Sequence, residues 1–106
     1  MSYTMYMLKD GQIVRTTDFL QWAAWREEFN PTIAATRLSS LGLTVSTVFL
    51  GIDHNMQSKG SPILFETAVF KDDGETDITA RYATVSEAKK GHDQICTQLM
   101  KEADRS

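Results

Sequence analysis

Cysteine is almost missing from this sequence. Its one copy, Cys96, excludes an internal disulfide and a cysteine-built zinc site. The fold must therefore be held by packing alone, which suits a reducing compartment. Positive charge is also in short supply. Eleven Lys and Arg stand against 14 Asp and Glu, a net charge of −3, which argues against a protein that grips nucleic acid by neutralising phosphates. No apolar run approaches the ~20 residues of a membrane span, and the first residues lack the basic-then-apolar layout of a signal peptide. The chain has no repeat, low-complexity tract or linker, so one cytoplasmic domain over residues 1–106 is expected, with no membrane partner. It also has no His-x-x-x-His pair, no serine in a nucleophile elbow and no glycine-rich phosphate loop. No cofactor and no metal site is expected.

What is present is organised around residues 45–70. Val45-Ser46-Thr47-Val48-Phe49-Leu50-Gly51-Ile52 and Pro62-Ile63-Leu64-Phe65-Glu66-Thr67-Ala68-Val69-Phe70 are rich in β-branched and aromatic residues, which fit a pleated, half-buried surface. The stretch between them, including Asn55, Ser58 and Gly60, is made of turn formers. The two runs are expected to be adjacent antiparallel strands in the middle of a sheet.

Upstream, Asp10-Gly11 between two short apolar runs predicts a hairpin over residues 3–16. Asp18, with Gln21 three residues on, reads as a capping box. The helix it opens carries Trp22, Trp25 and Phe29 on one side, and Asn30-Pro31 ends it. Residues 32–38 are extended, Ser39–Gly42 turns, and Asp73-Gly74 turns again before a strand at 77–83. Thr84 and Glu87 form a second capping box, and the helix over 85–100 shows an apolar stripe of Val85, Ala88, His92, Ile95, Cys96 and Leu99. The expected fold is α+β, a single antiparallel sheet with two helices in the order ββαββββα.

Few polar residues fall where polarity is costly. Asp53-His54 closes the first central strand. A histidine beside a carboxylate can serve as a base or ligand, or the pair can simply tie loose backbone at a loop entrance. Glu66 lies mid-strand, either on a wet face or buried with a partner. His92 sits in an apolar stripe and reads as a structural histidine. It is ~10 Å along its helix from Val85, and Glu66 is ~13 Å along its strand from Pro62, so Glu66 is the expected acidic partner of His92. Ser46 and Thr47 lack a local base that would make either a nucleophile. Trp22 and Trp25 belong to a core stripe that leaves some aromatic area for a partner. The candidate ligand- or partner-binding residues are therefore Asp53, His54, Glu66, Trp22 and Trp25. The hairpin, with Tyr3, Met5, Tyr6 and Met7, is the expected surface of a homodimer.

The segments Val45–His54, Leu64–Phe70 and Tyr82–His92, with their Asp-His, Phe-Glu-Thr and Gly-His elements, resemble a family of small uncharacterised proteins of tailed bacteriophages and prophages. The chain departs from the family pattern at Ala68, where methionine is common, and in the loop Asn55–Ser61, which is usually richer in glycine and proline. The resemblance implies a phage origin and expression in the cytoplasm of the infected bacterial host, and it implies no activity. The expected function is accordingly that of a non-catalytic accessory binding protein. Its target would be a host or phage protein, complex or signalling molecule, including components of antiviral defence. The alternatives are a small metal-dependent or acid–base enzyme using Asp53, His54, Glu66 and His92, and a minor virion or assembly component.

Overall fold

A computed structural model describes residues 4–53 and 60–105. Among these residues the fold is α+β, with two helices and two antiparallel sheets. Strands β1 (Met5–Lys9) and β2 (Gln12–Thr16) form the hairpin that Asp-Gly predicts. Asp10 and Gly11 both take positive φ, 50° and 78°, as a type I′ turn requires. Helix α1 (Phe19–Glu28) is capped by Asp18, which accepts from the Gln21 N–H at 3.1 Å. The predicted box is only half made. The Gln21 side chain accepts from the Thr16 hydroxyl instead of reaching back to the cap.

Strands β3 (Thr32–Leu38), β4 (Leu43–Phe49), β5 (Phe65–Lys71) and β6 (Thr76–Tyr82) follow as a four-stranded antiparallel meander in chain order. The two central runs are paired as predicted, Val45 opposite Val69 and Phe49 opposite Phe65. The first run stops at Phe49, short of the expected residue 52. Gly51 then turns the chain with φ of 76°, and α1 crosses close above it. A Cβ at Gly51 would stand 3.1 Å from the Arg26 guanidinium and 3.4 Å from the Trp22 indole nitrogen. Helix α2 (Val85–Asp104) is capped by Thr84, which accepts from the Glu87 N–H at 3.1 Å, and it runs past the predicted end at residue 100.

The expected single sheet is corrected to two, and the reason lies in β1. Met5 and Met7 pack on Trp22 of α1, while Tyr6 and Leu8 enter the main core with Phe49, Leu64, Phe65 and Ala88. Buried on both faces, β1 lies between α1 on one side and the main core on the other, and its ladder partner is β2 rather than a strand of the meander. Among the described residues it touches the larger sheet's chain through one backbone bond, from Tyr6 N–H to the Gly51 carbonyl at 2.9 Å. The same packing withdraws Met5, Tyr6 and Met7 from the surface they were expected to offer to a second copy. Tyr3 lies outside the described residues.

One face of the meander is covered. Val45, Thr47 and Phe49 of β4 and Phe65, Thr67 and Val69 of β5 are buried on it, facing α2 and the hairpin–α1 unit. Of the residues of opposite phase, Phe70 and Ile78 stand exposed on the other face, Ser46, Val48 and Glu66 are half-buried, and Ala68 is buried. Among the described residues no helix is long and apolar enough to cross a membrane.

Candidate functional site

The most elaborate polar arrangement lies under α2. His92 is 2% exposed and points into the sheet. Its Nε2 lies 2.8 Å from the Thr36 hydroxyl on β3, and its Nδ1 lies 2.8 Å from the Thr47 hydroxyl on β4. Thr47 and Thr67 share a hydrogen bond of 2.6 Å, and Thr67 of β5 donates to the Tyr82 hydroxyl on β6 at 3.1 Å. A single hydrogen-bonded chain thus crosses all four strands and fastens α2 to them. Among the described residues, every buried side-chain nitrogen and oxygen has a partner.

The chain has a direction. With Thr67 donating to Tyr82, Thr47 must donate to Thr67, because each hydroxyl has one proton. Thr47 can then only accept from His92, which places the imidazole proton on Nδ1 and leaves Nε2 to accept from Thr36. Burial pushes the His92 pKa below its ordinary value, against a weaker upward pull from the neighbouring Asp93 carboxylate. The imidazole is therefore held neutral. Gly91 makes the geometry possible, since a Cβ on that residue would overlap the Tyr82 ring.

Glu66 is not the partner of His92. The alternation that turns Thr67 toward α2 turns Glu66 to the opposite face. There its carboxylate, 15% exposed, accepts from Arg81 Nε at 3.2 Å. Asp53 accepts from the Ile63 N–H at 2.8 Å and joins the two ends of the loop it opens. His54 lies outside the described residues. Asp53, Glu66 and His92 are thus in separate places, and among the described residues no three of His, Cys, Asp and Glu come together to hold a metal ion. Thr47, which had no local base in sequence, does meet His92. The order Thr36–His92–Thr47 has the connectivity of nucleophile, base and orienting group. The orienting group is a neutral hydroxyl, however, and has no charge with which to hold an imidazolium.

Trp22 and Trp25 are used inside the fold. The Trp22 indole N–H donates to the Tyr6 carbonyl at 3.0 Å, and Arg26 lies over its ring. Trp25 stacks on Phe29 with centroids 4.5 Å apart and meets the edge of Phe49. The large apolar side chains that α1 leaves in water are Phe19, 61% exposed, and Leu20, 78% exposed. In sequence they stand beside the tryptophans, which set the apparent apolar phase of the helix. A further groove of about 380 Å³ runs between α2 and the sheet, floored by Leu43, Val69, Ile95 and Leu99 and rimmed by Lys71 and Asp77.

Thr47 and Thr67 carried a readable signal. Thr47 alternates with Val45 and Phe49, and Thr67 with Phe65 and Val69. A hydroxyl in the apolar phase of a central strand is buried and needs a partner. No family model, curated protein or solved structure matches the chain.

Proposed function

We propose that this chain is a phage accessory binding protein that acts in the host cytoplasm by occupying a protein of the host or the phage, without catalysis. The observation that carries the reading is the exposure of Phe19 and Leu20 on the first turn of α1. Paired large apolar side chains in water on a rigid helix are the kind of anchor that protein interfaces bury. Glu27 and Glu28, exposed further along the same helix, supply a charged rim. The sequence resemblance supplies the phage setting.

The test is affinity capture from bacterial cells during phage infection. Wild-type chain is compared with a Phe19→Ser, Leu20→Ser double variant, and captured proteins are identified and re-bound in purified form. The wild type should retain a partner in the purified assay, with at least tenfold weaker binding by the variant and unchanged melting. Equal binding by both chains refutes the role of this surface.

A further inference from the structure

The protein treats its sheet edges unequally. Edge strand β3 carries a bulge, with Ile33 left over between the pairs Thr32–Val48 and Ala34–Thr47. Edge strand β6 carries another, with Thr79 left over between Ile78–Ala68 and Ala80–Thr67. Bulges of this kind kink an edge and spoil it as a template for a further strand. Strand β2 has no such protection. Its register with β1 runs without a break from Thr16 to Gln12, it contains no proline, and it is exposed along nearly its whole length. Among the described residues, its outer edge pairs with nothing.

We infer that β2 is a self-association edge, which pairs antiparallel with β2 of a second copy about a two-fold axis at Val14. The register follows from which backbone groups point outward. Lys9 and Gln12 flank a two-residue turn and are a hydrogen-bonded pair, as are Val14 with Met7 and Thr16 with Met5 by alternation. The N–H and C=O groups of Ile13 and Arg15 therefore point away from β1. The same alternation frees Tyr6 on the other side of the hairpin, where its N–H does find the Gly51 carbonyl.

A two-fold axis normal to the sheet keeps side chains on their own face, so it can pass only through a residue position and not between two. Centred on Arg15, it would set Arg15 against its own copy, like charge against like charge. Centred on Ile13, it would carry Arg15 past the strand end to Gly11 of the turn. Centred on Val14, Ile13 of each copy faces Arg15 of the other as a hydrogen-bonded pair, and every outward group of the strand is satisfied. Val14 then meets its own copy at a non-hydrogen-bonded position, with Cα atoms about 4.5 Å apart. This contact lies on the α1 side, because Val14 is opposite Met7, which packs on Trp22. Exposed Phe19 stands beside Trp22 there, with ring centroids 6.1 Å apart. A second copy is favoured over an extended segment of another protein because the strand's one charge, Arg15, avoids itself in the only register that uses every outward group. The inference does not depend on the partner proposed above.

Sedimentation of the full chain at high micromolar concentration should give twice the monomer mass of 11.9 kDa. Arg15→Pro removes an outward N–H while leaving the bonds to β1, and it should sediment as monomer. In a Cys96→Ser background, Val14→Cys should oxidise to a linked dimer. Thr16→Cys, which faces Gln12 of the other copy and lies ~13 Å from its own copy, should not. A monomeric wild type, a dimeric Arg15→Pro chain, or cross-linking at position 16 equal to that at 14 each overturns the inference. If Arg15→Pro fails to fold, the cysteine pair decides the matter alone.

Discussion

Replacing Thr47 by valine removes one buried oxygen at almost constant shape and breaks the hydrogen-bonded chain at its centre. Thr47 is fully buried, and its hydroxyl serves both His92 Nδ1 and Thr67. In the variant Thr67 keeps Tyr82, but one nitrogen of His92 loses its partner whichever tautomer it adopts, since Thr36 can satisfy only Nε2. A buried polar group left unsatisfied costs about 1–3 kcal/mol, while the added methyl returns a fraction of that. A net loss of about 2 kcal/mol is expected, against the roughly 5–15 kcal/mol available to a domain. For a chain of this size that lowers Tm by roughly 8–15 °C. Thermal melts and urea titrations followed by circular dichroism measure it. Thr47→Ser, which keeps the oxygen, should lose about 1 kcal/mol, the value of one buried methyl group. His92→Leu combined with Thr47→Val should lose less than the two single changes added together, because the double change no longer leaves a buried imidazole nitrogen without a partner. If Thr47→Val melts with the wild type, or if the two changes add without coupling, the network does not hold α2 to the sheet.

Three further outcomes follow from the same geometry. The unfolded chain takes up a proton near pH 6.5, whereas burial holds folded His92 below that value, so the unfolded state binds more protons in between. The stability tied to neutral His92 is fully present above about pH 6.5 and is lost as the pH falls toward the depressed folded value. His92→Gln should flatten this part of a stability–pH curve. Glu66→Gln should leave it unmoved, because Glu66 sits with Arg81 on the opposite face, and nuclear magnetic resonance titration of the imidazole in that variant provides the check. Gly91→Ala would gain up to ~1 kcal/mol as a helix interior substitution. It should nonetheless lower Tm, because the new Cβ must displace the Tyr82 ring and with it the hydroxyl that ends the chain.

The features legible in sequence are those set by a few neighbouring residues. Asp10-Gly11 dictates a tight hairpin through its tolerance of positive φ. Asp18 and Thr84 mark helix starts because each can accept from a free first-turn amide. The alternation around Val45 and Phe65 marks two central strands, and their length makes them each other's natural neighbours. The order of elements follows from those local signals.

What only the tertiary structure decided is which surfaces meet. The hairpin reads the same in sequence whether it joins the meander or stacks on it. Packing of both faces of β1 chose the second and split the expected sheet in two. The phase of α1 was ambiguous because Phe19, Leu20, Trp22 and Trp25 surround it with apolar groups. Docking on Met5, Met7 and Phe49 buried Trp22, half-buried Trp25 and left Phe19 and Leu20 in water. The partner of His92 depended on the register of β3, β4 and β5, which brings Thr36 and Thr47 under one imidazole and leaves Glu66 on the far side of the sheet. Local sequence sets dihedral preferences and periodicity, whereas the pairing of faces depends on contacts between residues far apart in the chain, which no local window contains.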